Sequence, residues 1–333
     1  MSDVSAVREN QKNLEIQQRL DKKAAQKKMF TDLVPYFGLV FTVVFFTAVT
    51  GGRFLSADNM GNLINQGFVL SLIAIGSAFV YAHGGMDFSV GSVSGVAQLV
   101  CGIMIVAGVP LPLCLLTTVL VCVLGSFCTA GITLLLGVPV FVGSMCVRTS
   151  FAGILKTYTQ TKEIAVVYQD YAFMNNAAIK AEILVAVIRV AYYLYNYTVI
   201  GKYNKAIGGN ARTSQQAGVS RKKMVFIAYT LMGICVGIAS IFAFFRSGKV
   251  SAYSGNGYEF NVMMAIVLGG FPMSGGDRAK ISSAIIGALT VTGLTNGLGM
   301  WGLDPTLISG VKGVLFVIIV ALSYDRSAGK LVS

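Results

Sequence analysis

The sequence predicts an all-α integral membrane protein with about ten transmembrane segments, some of them broken or shortened helices, and both termini in the cytoplasm. Three observations carry this. Of the 333 residues, 55% are hydrophobic and 12% charged, with a mean hydropathy of +0.71, whereas soluble domains carry about 25% charged residues. The apolar residues form successive runs of membrane-crossing length. The basic residues gather at the ends of those runs and fall unequally on the two sides.

Taken in chain order, residues 1–30 read as a polar cytoplasmic helix. Seven basic and four acidic residues precede Met29 with no apolar core among them, so this is not a signal peptide. A spanning helix needs about 20 mostly apolar residues, and fewer where protein covers it. The segments are then 33–49, 66–82, 91–107, 111–136, 139–157, 181–199, 225–244, 259–270, 281–298 and 307–322. They make 31–325 a single polytopic transmembrane domain, followed by a cytoplasmic tail, 326–333.

Six segments precede the loop 201–223, so a cytoplasmic amino terminus puts that loop in the cytoplasm too. In this orientation seventeen Lys and Arg residues lie inside and five (Arg53, Lys162, Lys180, Arg246, Lys249) outside. Four more (Arg148, Lys156, Arg189, Lys312) lie within segments. That is a positive-inside bias. The net charge of +12 is therefore topological and does not point to nucleic acid.

The 38 glycines fit closely packed helices, where small residues let backbones approach. The pairs Gly233/Gly237 and Gly293/Gly297 are expected to pack helix on helix within the chain. Cys101, Cys114, Cys122, Cys128, Cys146 and Cys235 lie inside apolar runs without Cys-x-x-Cys spacing, and His83 is the one histidine. Neither a metal, a cofactor nor a disulfide is expected.

The segment Gly201–Lys223 is the most informative. It holds six basic residues and no acidic one. It is composed like a docking element: a turn at Gly208-Gly209-Asn210, a polar helical turn from Ala211, then Gly218-Val219-Ser220 before the next apolar run. A membrane protein that presents such a helix to the cytoplasm hands force or information to a partner there, which points to transport. Gly208, Gly209, Asn210, Ala211 and Gly218 are the candidate coupling residues.

Two glycine-rich breaks echo one another. Gly84-Gly85-Met86-Asp87-Phe88-Ser89-Val90-Gly91 follows the second segment, and Gly269-Gly270-Phe271-Pro272-Met273-Ser274-Gly275-Gly276 follows the eighth. Both read Gly-Gly-x-x-x-Ser-x-Gly, aligning Gly84 with Gly269 and Gly85 with Gly270. Within a membrane such breaks are tolerated only where protein or a water-filled cavity covers the freed backbone, and repeated broken helices are a transporter habit. Asp87 reads as a helix cap in preference to a pathway carboxylate. Arg189 is open to three readings: snorkelling, pairing with Glu182, or lining a polar path. His83, at a segment end, reads as a structural hydrogen-bonding residue.

Several functions are excluded by absence of motif. There is no Gly-x-x-x-x-Gly-Lys-[Ser/Thr] phosphate loop, no His-Glu-x-x-His and no Gly-x-Ser-x-Gly, so neither ATP hydrolysis nor a hydrolytic site is expected in this chain. Nor is there an array of membrane carboxylates suited to an ion-coupled carrier, Asp87 being the sole candidate.

The run Gly84–Ser92 resembles the Gly-Gly-Ile-Asp-Leu-Ser-Val-Gly stretch of ribose/galactose-type permeases of ATP-binding cassette (ABC) transporters. Tyr203–Gly218 is similar to that family's cytoplasmic coupling segment, and Ala265–Gly270 with Ser274-Gly275-Gly276 to its third characteristic stretch. The landmarks span residues 55–325. One stretch departs: Val138–Met145 is only partly similar to the family's run entering the fifth segment, and Arg148, Lys156 and Arg189 stand where apolar residues are expected. The resemblance implies a multi-pass subunit of the bacterial inner membrane that imports a monosaccharide or related small polar solute. It also implies a second permease, a separate ATPase subunit and an extracytoplasmic solute-binding protein as partners. The alternatives are an ion-coupled secondary transporter with broken helices, a passive channel, or a permease of the same family that carries a nucleoside. The residues that touch substrate are not identified by sequence.

Overall fold

A computed structural model describes residues 33, 35–160, 164–166, 168–272, 275–276 and 280–323. The expected amino-terminal helix 1–30, the tail 326–333 and Ser274 lie outside these residues. The described helices are α1 (Pro35–Val49), α2 (Ala57–Ala82), α3 (Val90–Val106), α4 (Leu111–Leu136), α5 (Val140–Thr159) and α6 (Ala177–Tyr197). They continue with α7 (Val199–Gly209), α8 (Ala211–Gln216), α9 (Arg221–Ser247), α10 (Tyr258–Leu268), α11 (Ile281–Met300) and α12 (Pro305–Ser323).

Each apolar run lies on one of these helices, but the helices are not equivalent. Among the described residues α2, α4, α9 and α11 are long and apolar enough to cross a bilayer unaided. The chain is thus an all-α multi-pass membrane protein. The helices α1, α3, α10 and α12 are apolar but shorter. The 11 residues of α10 rise about 16 Å, roughly half a hydrocarbon core.

The fold is organised around α9 and α2. Both are buried for most of their length, α9 lying against α4 on one side and α2 on the other. A helix that is apolar all round belongs inside a bundle, and Phe68–Ala82 of α2 is buried without interruption. In contrast, α4 keeps Leu113, Leu116, Leu120 and Leu124 exposed at helical spacing, as a lipid-facing stripe requires. The Gly233/Gly237 pair sets the α9–α4 approach: a Cβ at either position would lie 2.7 Å from a Cα of α4, at Val123 or Val119. Gly297 similarly admits the Phe46 ring of α1 against α11. Both pairs therefore pack within the chain.

Two details differ from the sequence reading. The end opposite the α2 terminus carries a short antiparallel ladder, β1 (Ile164–Ala165) with β2 (Lys249–Val250), which ties the connection after α5 to the one after α9. Lys180, expected in an outer loop, belongs to the first turn of α6 and is buried. Helix α6 starts four residues before the apolar run because Asn176 caps it, its Oδ1 accepting from the Ala178 N–H at 2.8 Å.

Candidate functional site

The ends of α2 and α10 are built alike. Gly84 N–H donates to Tyr81 O (2.9 Å) and Gly85 N–H to Val80 O (3.2 Å); Gly270 N–H donates to Val267 O (2.9 Å) and Phe271 N–H to Ile266 O (3.0 Å). In each case a left-handed glycine closes the helix, Gly84 at φ 82° and Gly270 at φ 77°. The echo is therefore real as backbone geometry, but its register is displaced by one residue from the sequence alignment. Gly84 corresponds to Gly270, and Gly85 to Phe271. Gly269 sits at φ −70°, where any residue fits the backbone; it is needed because a Cβ there would overlap Ser283 O of α11.

The two breaks also meet. Gly276 N–H donates to Ala82 O at 2.9 Å, so the second break satisfies a carbonyl left open by the end of α2. Gly275 lies over the same turn, with Gly84 N 2.7 Å from where its Cβ would be. Into this junction comes Gly208 of α7. A Cβ on Gly208 would overlap Ala82 O and approach Gly276 N to 2.5 Å.

The segment 201–223 is more helical than its glycines suggest. Gly208 and Gly209 do not turn the chain; both continue α7, and the break falls at Asn210. Asn210 has an extended backbone and caps α8, its Oδ1 accepting from Thr213 N–H at 3.1 Å. Its own carbonyl accepts from Ser214 Oγ at 2.8 Å. After α8, Gly218 at φ 85° reverses the chain and Val219 is buried, which returns it to α9. Ala211 opens α8, while Gly209 projects to the surface with nothing within 4 Å of a built Cβ. Of the five candidate coupling residues, Gly208 touches the junction.

His83 lies beside it as the C-cap of α2. Its two ring nitrogens are buried beside the Phe79 backbone and the Asn204 side chain, without a hydrogen bond of good geometry among the described residues. Burial first, and the Arg221 charge second, hold it down at about 4, so the ring is neutral at pH 7.

Away from the junction lies a second polar centre. Asp87 Oδ1 accepts from Ser89 N–H (2.6 Å) and Ser89 Oγ (2.7 Å), while Ser89 Oγ lies 3.0 Å from Thr129 Oγ1 of α4. This is a local cap in geometry, although the N-cap position of α3 is Ser89 itself. The Asp87 carboxylate is buried next to the Tyr229 side chain of α9, and among the described residues its Oδ2 makes no hydrogen bond of good geometry. Next along α3, Gly91 leaves room for Glu259 and for Gly255 O of the loop preceding α10. Glu259 pairs with Arg148 of α5 at 2.6 Å, the two side chains being 4% and 34% exposed.

Glu259 was missed by the sequence reading, which took Asp87 as the sole candidate carboxylate in the membrane. Its signal is one acid at the head of an apolar run, two residues after Gly255-Asn256-Gly257. Arg148 stands out within an apolar run, but its partner is 111 positions away in sequence. Arg189 is exposed and makes no ion pair with Glu182 among the described residues. The six cysteines are free, and among the described residues no cluster of His, Cys, Asp and Glu could hold a metal ion.

Residues 59–320 match the family described as branched-chain amino acid transport system / permease component. The chain is 30% identical over 310 residues to the ribose import permease protein of Bacillus subtilis (strain 168), covering 89% of this chain and 94% of that one. It is 27% identical over 271 residues to the galactofuranose transporter permease protein of Escherichia coli (strain K12), covering 80% and 79%. It is 25% identical over 303 residues to the fructose import permease protein of Rhizobium meliloti, covering 87% and 84%. No solved structure matches.

Proposed function

This chain belongs to the branched-chain amino acid transport system / permease component family and is a non-catalytic permease subunit of a sugar-type ABC importer of the inner membrane; from that premise we propose that its cargo is a monosaccharide or related small polar solute. A separate ATPase subunit drives it, an extracytoplasmic binding protein delivers the solute, and a second permease completes the pathway. The domain 31–325 crosses the membrane ten times, with residues 1–30 and the tail 326–333 in the cytoplasm. The positive-inside distribution of Lys and Arg supports this, as does the fall of each hydrophobic run of the sequence on a helix.

Coupling runs through α7 and α8, where Gly208, Gly209, Asn210, Ala211 and Gly218 shape the docking element. The observation that carries the reading is the seat of Gly208 against Ala82 and Gly276. A push on α7 by the ATPase reaches the ends of α2 and α10 together, because those ends share the Ala82–Gly276 hydrogen bond. Beyond them lie α3 and α10, which meet through Gly91 and Glu259. Moving both breaks at once shifts that contact and opens the path alternately to each side. Gly84, Gly85, Asp87, Ser89, Gly91, Gly269, Gly270, Gly275 and Gly276 form the hinges of this movement.

Reconstitution tests the reading. Proteoliposomes holding this chain with its ATPase should accumulate a monosaccharide only when ATP and the binding protein are supplied. Uptake that persists without the ATPase and collapses with the ion gradient would instead assign an ion-coupled carrier. Uptake of a nucleoside in preference to any monosaccharide would change the cargo and leave the machinery unchanged.

A further inference from the structure

At the end of the bundle remote from the Ala82–Gly276 junction, we propose an oxyanion site that takes the carboxylate of an acidic monosaccharide as it enters the permease. A cavity of about 400 Å³ there is lined by Asn62, Asn65, Gln66, Asn175 and Arg246. That volume is in the range of small-molecule sites, about 300–1,000 Å³. Asn62, Asn65 and Gln66 share one face of α2 at i, i+3 and i+4; Asn175 precedes α6, and Arg246 ends α9. Three separate elements thus aim polar groups into one space.

Its charge is what specifies the ligand. Lys180, 2% exposed, donates from Nζ to Asn65 Oδ1 at 2.5 Å and to Asn175 Oδ1 at 2.9 Å. The ammonium is therefore buried on two neutral amides, with the Arg246 charge repelling it across the wall of the cavity. Among the described residues no carboxylate forms an ion pair with Lys180 or Arg246. A buried cation is costly without a counter-charge. An oxyanion in the cavity supplies a counter-charge and accepts from the guanidinium in the two-pronged geometry that arginine favours. The surrounding amides, which both donate and accept, suit the hydroxyls of the same sugar.

This site rests on the importer reading and adds the charge of the cargo. Its test uses the full chain in nanodiscs, titrated calorimetrically with sodium D-galacturonate, neutral D-galactose and inorganic phosphate. Galacturonate should bind, more weakly as salt rises, and Arg246→Gln should weaken it about tenfold or more. Arg246 is exposed, so this variant keeps the fold; Lys180→Met, at a buried position, serves as a second variant read for stability alongside binding. Galactose that binds as tightly as galacturonate would overturn the proposal. So would phosphate binding without galacturonate binding, or unchanged affinity in Arg246→Gln. ATP-driven uptake of a neutral sugar that is indifferent to Arg246→Gln, with no galacturonate binding, removes this site and leaves the importer standing. Absence of ATP-driven uptake of every monosaccharide tried removes the monosaccharide reading itself, whatever the nanodisc binding shows.

Discussion

Gly276 N–H donates to Ala82 O at 2.9 Å, joining two chain breaks that are 194 residues apart. The bond matters because Gly208 packs on it from the cytoplasmic segment, so three glycine-containing stretches close on one carbonyl.

Gly208→Ala is therefore expected to disrupt the junction, since its methyl has no space beside Ala82 O. Overpacking of this kind costs about 1–3 kcal/mol. The expected phenotype is weaker retention of the ATPase during purification, or ATP hydrolysis without uptake. Gly209→Ala is the control: it is exposed with nothing within 4 Å of the new Cβ, and should transport as wild type. Equal behaviour of the two variants would contradict transmission through Gly208.

At the helix ends, Gly84→Ala and Gly270→Ala each force a left-handed backbone on a residue with a side chain, at roughly 1–2 kcal/mol. Gly85→Ala meets tight contacts with Val80 Cγ1 (3.1 Å), Val80 O (3.2 Å) and His83 Nε2 (3.3 Å) but has no positive φ to strain. The melting temperature of the detergent-solubilised protein should fall for the first two and less for the third. A larger fall for Gly85→Ala would restore the register read from sequence.

The Arg148–Glu259 pair should respond asymmetrically. Arg148→Ala leaves the buried Glu259 carboxylate without its cation, a change that costs up to about 3–5 kcal/mol for a fully buried pair and less here, with Arg148 one-third exposed. Glu259→Gln keeps the shape and leaves an arginine that can turn to water, so its cost is smaller. Stability of the two variants, with the double variant closing the cycle, measures this. Equal losses would mean the pair is not held as described.

Asn210→Ala removes the cap of α8 and should cost about 1 kcal/mol, whereas Asn210→Asp or Asn210→Ser should retain it. Hydrogen exchange across 211–216 reads this directly. Faster exchange in the alanine variant alone is expected; identical exchange in all three would show that α8 is held by other contacts.

Topology has its own test. With Cys128 and Cys146, the two exposed native cysteines, replaced by Ser, Gly209→Cys should react with a membrane-impermeant thiol reagent only from the cytoplasmic side, and Asn62→Cys only from the other. Both reacting from one side would break the ten-crossing arrangement.

What the sequence determined by itself was the solvent. Low charge, apolar runs and the bias of Lys and Arg fix a multi-pass helical protein, because the cost of an unpaired backbone or charge in hydrocarbon is local and large. The glycine stretches also marked the helix ends at Gly84 and Gly270 and the reversal at Gly218, since left-handed backbone is a single-residue property. Tertiary structure decided which of these touch. Gly208 and Gly209 are neighbours in sequence, both helical, yet Gly208 alone packs on Ala82, and no propensity distinguishes them. Glu259 and Arg148, or Lys180 with Asn65, become sites only when distant helices are brought together. A hydrogen bond or an ion pair depends on a few ångströms between elements, and helix packing sets that distance through both faces at once.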